Sequence, residues 1–234
     1  MNKNTTLKRS GCLYVVATPI GNLEDITLRA LRVLRECDYI LCEDTRVSGR
    51  LFAHHDIKKS LKRYDSHASE SVHNRIVEDI KNGRKVALVS DAGTPGISDP
   101  GVRLVTRVRQ AGVRVEAIPG PSALTTALSV AGLTGNQFSF MGFVPQKKGR
   151  QTFFKSLLTE SHPVVFFEST HRILKTLKSL CDLEVDMVVY LFRELTKMHE
   201  EVWVGTPKEL LLKLESEPVK QKGEFVIIVE GVEA

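Results

Sequence analysis

The sequence predicts an α/β protein with two α/β domains, the first on a mostly parallel sheet and the second on a mixed sheet. Two observations support this fold class. The first half repeats a short β-rich apolar run, a turn and an amphipathic stretch with charged residues on one face, which is typical of alternating strands and helices. After Gly132 the turn-rich segment LTGNQ interrupts the repeat, and longer apolar runs follow. We therefore expect a basic tail over residues 1–11, an N-terminal domain over 12–132 and a C-terminal domain over 133–234.

The N-terminal domain should contain four strands that alternate with helices. Apolar runs such as VALV indicate strands buried on both faces, hence a mostly parallel sheet. The predicted strands are Cys12 to Ala17, Tyr39 to Cys42, Val86 to Val89 and Val113 to Ile118. The predicted helices are Ile26 to Arg35, Ser69 to Lys81, Gly101 to Ala111 and Ser122 to Ala131.

The C-terminal domain should contain five strands and at least one helix. EEVWVG followed by Thr206 and Pro207 indicates a strand that leads into a helix N-cap with proline in the first turn, and KELLLKLES supplies that helix. The predicted strands are Phe138 to Val144, Val164 to Phe167, Met187 to Phe192, Glu200 to Val204 and Glu224 to Val229.

Composition and charge limit the class of protein. No apolar run approaches the ~20 residues that span a bilayer, and Pro19 ends the first apolar run too early for a secretory signal. The four cysteines form no CxxC pair and have no histidine cluster with zinc spacing beside them, so we expect reduced thiols in a cytoplasmic protein and no metal. The formal net charge of +5 mildly favours a polyanionic partner.

Four loops rich in Gly, Pro, Ser, Thr and Asp follow predicted strands: TPIGNLED, SDAGTPGISDPG, PGPSA and FFESTHR. In open α/β sheets the carboxyl edge of the strands is where ligands bind. The sequence has neither a G-x-x-x-x-G-K-[ST] motif nor a G-x-G-x-x-G after the first strand, which disfavours ATP hydrolysis and ordinary dinucleotide chemistry. The loops therefore predict a preformed site for some other small molecule.

Motifs over nearly the whole chain, from Leu13 to Gly231, resemble the tetrapyrrole methylase-like class of S-adenosylmethionine-dependent methyltransferases. Within that class they resemble the ribosomal RNA small-subunit methyltransferase I group. The motifs are ATPIGNLEDIT, CEDTR, SDAGTPGISDPG, IPGPSA, FVPQKKGR, FFESTHRI, RELTK and KGEFVIIVEG. The resemblance implies a tetrapyrrole methylase-like fold, a homodimer, S-adenosylmethionine in a cleft between the domains, and 2'-O-methylation of a cytidine in the decoding region of 16S rRNA.

Two other functions stay open. Tetrapyrrole methylases share the fold but act on porphyrin precursors, so a tetrapyrrole or other small molecule could be the substrate. The chain could also be a non-enzymatic RNA-binding assembly factor that holds the donor as a structural ligand.

For the donor, the resemblance and the loops together suggest backbone amides, one or two acids and apolar walls. As alternatives, Asp91 could cap a helix or brace its loop, Ser122 could be only a helix N-cap, and the two phenylalanines could be core residues. The candidate donor-binding residues are Pro19, Gly21, Asp91, Ala92, Gly93, Pro121, Ser122, Ala123, Phe166, Phe167 and Glu168.

Methyl transfer to a ribose hydroxyl needs alignment of the reacting atoms and is helped by a base or cation near that poorly acidic hydroxyl. The candidate catalytic residues are Glu43, Arg46, Arg193, Glu194 and Lys197. The alternatives are a structural pair of Glu43 or Asp44 with Arg46, and a domain-bridging salt link formed by Glu194 and Arg193.

Lys147, Lys148 and Arg150 are the candidate contacts to phosphates of 16S rRNA or the small ribosomal subunit. Another basic cluster consists of Lys58, Lys59, Lys62 and Arg63. Either cluster could be only a solvated face, and this alternative suits the cluster at Lys58 more.

Overall fold

A computed structural model describes residues 11–231, so residues 1–10 of the expected basic tail lie outside the described residues. The chain divides into two compact units, the first ending at Ser122 and the second beginning at Ala123. The sequence places this boundary after Gly132. Helix α5 (Ala123–Ala131) groups instead with the second unit, where it contacts β10 (Glu224–Gly231), the central strand of that unit's sheet.

The first unit is built on a five-stranded parallel sheet, which confirms the predicted fold class. Its strands lie in the order β3-β2-β4-β1-β5, and each neighbouring pair is parallel. The strands are β1 (Cys12–Val16), β2 (Tyr39–Cys42), β3 (Leu61–Arg63), β4 (Lys85–Val89) and β5 (Arg114–Ile118). The helices are α1 (Leu28–Glu36), α2 (Thr45–His54), α3 (Glu70–Lys81) and α4 (Val102–Gln110).

Helices cover both faces of this sheet. In β4, Ala87 and Val89 face a core formed with α1 and α2, whereas Val86 and Leu88 face a second core formed with α3 and α4. Chain leaving β2 turns to β3 at one side, and chain leaving β4 crosses to β5 at the other. The loops that follow β2 and β4 therefore run in opposite directions. In such a sheet, ligands usually bind in the crevice between these loops, at the carboxyl ends of the strands.

The second unit is built on a mixed sheet with the order β6-β7-β10-β8-β9, also as predicted. Strands β6 and β7 are parallel, and the other neighbours are antiparallel. One face forms the main core with three helices. The strands are β6 (Ser139–Phe143), β7 (Val164–Ser169), β8 (Met187–Arg193), β9 (Glu201–Gly205) and β10 (Glu224–Gly231), and the helices are α6 (Arg150–Leu157), α7 (Ile173–Cys181) and α8 (Pro207–Ser216).

Sequence patterns missed α2, β3, α6 and α7. Helix α2 contains Gly49, Ser48 and Thr45, which are poor helix formers, and β3 has only three residues. Helix α7 carries its apolar residues at helical spacing, but the preceding FFESTHR suggested a loop. Helix α1 begins at Leu28 rather than at Ile26, because the Thr27 side chain caps it by accepting from Ala30 N. Among residues 11–231, no helix is long and apolar enough to cross a bilayer.

Candidate functional site

The loops after β1 and β4 are joined by backbone hydrogen bonds. Thr18 N donates to Gly93 O at 2.9 Å, and Gly93 N donates to Thr18 O at 3.0 Å. The buried hydroxyls of Thr18 and Ser90 donate to the carbonyls of Ser90 and Gly93, at 3.1 and 3.0 Å. These side chains satisfy buried carbonyls at the end of the sheet, so the two loops form one braced edge.

The loop after β5 joins the same edge. Thr94 Oγ1 donates to Pro121 O at 3.2 Å, which places the turn with Asp91 beside the turn with Ser122. Gly93 has a φ of +79°, and a Cβ there would lie 3.3 Å from Ile20 Cγ2. Only glycine adopts this backbone readily, so backbone rather than side chain faces the edge at this point. The predicted donor residues of the first unit thus follow three strands that meet at one edge.

Asp91 also connects this edge to the loop after β2. Its Oδ1 accepts from Asp44 N at 3.1 Å, so one carboxylate oxygen braces the loop, as the alternative interpretation expects. Asp44 is the N-cap of α2 and pairs with Arg46, with Nη2 to Oδ2 at 2.6 Å. Hydrogen bonds from Arg46 hold the pKa of Asp44 well below its usual value. The expected local ion pair therefore forms between Arg46 and Asp44.

Glu43, Asp91 and Asp99, named here the acidic cluster, share this edge. Burial raises the pKa of Glu43, and the charges of Asp91 and Asp65 raise it further. Burial followed by the charges of Glu43 and Asp91 raises the pKa of Asp99 to about 6. Among residues 11–231, no His, Cys, Asp or Glu group is arranged to hold a metal ion. Because the charges of neighbouring carboxyls contribute to raising the pKa of Glu43 and Asp99, a positively charged ligand would stabilise this cluster.

Asp99 lies in the loop SDAGTPGISDPG but is not among the residues that sequence reasoning selects. An acid placed directly before Pro100 and the start of α4, in the same loop as Asp91, was the signal available.

The predicted aromatic and acidic residues at the end of β7 lie in different surroundings. Phe166 is fully buried in the main core of the second unit, as the core-packing alternative expects. Phe167 is half-buried and packs edge-on against Phe140 and Phe143, with ring centroids 5.0 and 5.3 Å apart. Glu168 is 1% exposed and enters a buried ion network.

The segment 144–149 between β6 and α6, named here the basic loop, presents Lys147 and Lys148 to solvent. Arg150 differs from them, since it is only 7% exposed and its guanidinium contacts Thr176 and Glu168. Burial lowers its pKa, which the neighbouring Glu168 opposes. The predicted set of three phosphate contacts is therefore two exposed lysines and one buried arginine.

The RELTK turn after β8 is held by its own polar groups. Arg193 donates from Nε to Lys222 O at 2.7 Å and pairs through Nη1 with Glu201 at 3.1 Å, and both partners belong to the second unit. Glu194 accepts from Lys197 Nζ at 2.8 Å. Glu194 and Thr196 have φ values of +52° and +64°, uncommon for residues other than glycine.

Lys197 is a stable cation in this turn. Burial alone would lower the pKa of Lys197, but its hydrogen bonds to Glu194 and Glu224 raise it above the ordinary value. Such a group can attract phosphate or stabilise negative charge, and it is poorly suited to accept a proton near neutral pH.

A protein-family model described as Tetrapyrrole (Corrin/Porphyrin) Methylases matches residues 12–211. The chain is also similar to curated proteins called Ribosomal RNA small subunit methyltransferase I. It is 45% identical to that of Thermotoga maritima over 95% of this chain and 100% of the relative. It is 45% identical to that of Escherichia coli O157:H7 over 96% of this chain and 79% of the relative.

Solved structures share the fold at low identity. Cobalt precorrin-4 methyltransferase has a TM-score of 0.69 at 19% identity, covering 94% of each chain. Diphthine synthase has a TM-score of 0.73 at 17% identity, covering 94% of this chain and 90% of that one. The family model and the curated relatives show that the chain belongs to the ribosomal RNA small subunit methyltransferase I family of the tetrapyrrole methylases.

Proposed function

We propose that this chain is a cytoplasmic, S-adenosylmethionine-dependent methyltransferase that methylates the ribose 2'-hydroxyl of a cytidine in the decoding region of 16S rRNA. The observation that carries this proposal is the 45% identity, over nearly the whole chain, to enzymes named for ribosomal RNA methylation. A homodimer, which the family resemblance implies, is part of the proposal, and light scattering measures it.

The braced edge of the first unit fits the methyl donor. S-adenosylmethionine supplies a methyl group on a sulfonium and also carries an ammonium, so its two positive charges suit the acidic cluster. The positive φ of Gly93 disfavours a side chain in this loop, and Asp91 has a second carboxylate oxygen besides the one that accepts from Asp44 N. The residues proposed to hold the donor are Pro19, Gly21, Asp91, Ala92, Gly93, Pro121, Ser122 and Ala123.

For the reaction, we propose Glu43 as the acceptor of the ribose proton. In this reaction the 2'-oxygen would form a bond to the donor's methyl carbon while the carbon–sulfur bond breaks and its electron pair stays on sulfur, and Glu43 would take the hydroxyl proton. A carboxylate whose pKa is raised takes a proton more readily than an ordinary one. Asp44 does not suit this role, because Arg46 lowers its pKa. The cations Arg46 and Lys197 are proposed to stabilise negative charge on the RNA, and Arg193 and Glu194 to hold the turn that carries Lys197.

The basic loop is proposed to contact the RNA backbone. Lys147 and Lys148 are exposed neighbours, and lysines of this kind bind phosphates without reading sequence.

One experiment separates the substrate classes. The chain is incubated with methyl-labelled S-adenosylmethionine and either small ribosomal subunits or a porphyrinogen. We expect label in 16S rRNA alone, at one cytidine that primer extension at low nucleotide concentration locates. Label in the porphyrinogen would replace the proposal with small-molecule methylation, and donor binding without any product would favour a non-enzymatic factor.

A further inference from the structure

A buried ion network in the second unit is centred on Glu168, whose side chain has no exposed surface. Its Oε1 lies 2.7 Å from Arg172 Nη2, and its Oε2 accepts from Thr176 Oγ1 at 2.6 Å. Thr176 Oγ1 in turn accepts from Arg150 Nη2 at 2.9 Å, and Arg150 Nη1 lies 3.7 Å from Oε2. A carboxylate at this depth is tolerated only when it is paired and hydrogen-bonded, and two guanidiniums meet that need.

Both guanidiniums also hold the backbone of the basic loop. Arg172 Nη1 donates to Val144 O at 2.8 Å, and Arg150 Nη1 donates to Pro145 O at 3.5 Å. These two carbonyls belong to the first residues of the loop, just ahead of the exposed lysines. Arg150 is also the first residue of α6, so the network holds the loop at its beginning and at the residue after its end.

We propose that Glu168 is a positioning residue for RNA binding: through Arg150 and Arg172 it fixes the loop from which Lys147 and Lys148 reach RNA phosphates. This inference rests on the proposed function, and it gives Glu168 a role different from the donor contact that its motif suggests. A loop that is fixed in advance loses less conformational freedom when it binds, so RNA affinity depends on the ion network of Glu168. The affinity for the methyl donor does not depend on this network.

The main test is Glu168→Gln, which keeps the shape and removes the charge. We expect the Kd for small-subunit rRNA to rise on the order of tenfold, and the slope of log affinity against log salt to flatten by up to about 1.4, the share of two phosphate contacts on single-stranded RNA. Donor affinity, measured by calorimetry, stays at the wild-type value. Hydrogen exchange at the amides of residues 146–150 becomes faster.

A double-mutant cycle connects Glu168 to the lysines. In a Lys147→Ala/Lys148→Ala background, Glu168→Gln should change RNA affinity less than about twofold, because the groups that it positions are gone. Arg172→Lys is the second variant, for use if Glu168→Gln does not fold. It keeps the charge beside Glu168 but has one nitrogen in place of the several that bond Glu168, Ser169 and Val144 O, so it gives the same pattern with smaller changes.

Thr206→Ala is the matched control. It removes the capping box of α8 in the same unit and lowers stability without touching the basic loop, so RNA affinity should stay at the wild-type value. Additive effects in the cycle, or a loss of donor affinity with RNA binding intact, would overturn the inference. If the wild-type chain does not bind RNA, the proposed function and this role are both overturned. If the wild-type chain binds RNA and Glu168→Gln binds it with the same affinity, this role alone is overturned.

Discussion

The two units place carboxylates near the ends of strands in opposite electrostatic surroundings. In the first unit, the acidic cluster follows β2 and β4, and burial together with neighbouring carboxyls raises the pKa of Glu43 and Asp99. In the second unit, Glu168 near the end of β7 faces two guanidiniums. Uncompensated negative charge attracts a cationic ligand, whereas compensated charge holds structure together. Local charge balance, rather than position after a strand, therefore distinguishes a ligand contact from a scaffold residue.

The largest expected effect comes from removing the carboxylate of Glu168 from between its two guanidinium partners. Glu168→Ala leaves two guanidiniums in a buried environment without their carboxylate, so the free energy of unfolding should fall by about 3–5 kcal/mol. Urea denaturation of the full chain at pH 7 measures it. Asp91→Ala is the comparison, and it should lose only about 1 kcal/mol, because it removes one hydrogen bond to Asp44 N. Equal losses in both variants would contradict the distinction between the two regions.

A smaller effect should appear in ligand binding. Asp91→Asn keeps an oxygen that can accept from Asp44 N but removes a negative charge from the acidic cluster. We expect the Kd for S-adenosylmethionine to rise about tenfold, equivalent to about 1.4 kcal/mol, with little change in stability. Isothermal titration calorimetry measures the affinity, and Glu116→Gln, which alters an acid outside the cluster, is the control. Unchanged donor affinity would remove Asp91 from the proposed site.

The smallest effect concerns pH. Burial and nearby carboxyls raise the pKa of Asp99 from 3.8 to about 6, so the folded chain binds this proton more tightly than the unfolded chain does. Its stabilising contribution is full below pH 3.8 and is lost as pH rises through about 6. Asp99→Asn should therefore raise the free energy of unfolding at pH 8 by about 1 kcal/mol, a figure discounted for partial exposure, and by less at pH 5.

Urea unfolding at both pH values checks this prediction. A gain that is the same at pH 5 and pH 8 would show that charge at Asp99 is not its source.

The sequence predicted the parts of the fold that depend on local pattern. Runs such as Val86 to Val89 are apolar at every position, and strand β4 is buried on both faces as expected. Helix α2 escaped prediction because packing of Leu51 and Phe52 outweighs its weak helix propensity. The unit boundary differs for a similar reason, since the contact of α5 with β10 joins residues far apart in the chain.

The candidate site was less accessible to sequence reasoning. The motif around Asp91 was visible, but the partners of Glu168 include Arg150 from a separate motif, and only folding shows that Arg150 turns inward while Lys147 and Lys148 face solvent. Asp99 was missed for a related reason. Its pKa is raised first by burial and then by the charge of Glu43, which belongs to a different loop, and the local motif shows neither cause.

The strand order of the first sheet has a consequence for synthesis on the ribosome. Both neighbours of β1, β4 and β5, are made long after it, and the pairing of Val16 with Ile118 spans most of the unit. A nascent chain that ends before Lys85 contains β1 without either of its partner strands, so the apolar residues of β1 cannot yet pair in the sheet. Such long-range pairing slows folding and leaves apolar surface exposed to aggregation for longer. We therefore expect chaperones to bind the β1 segment during synthesis.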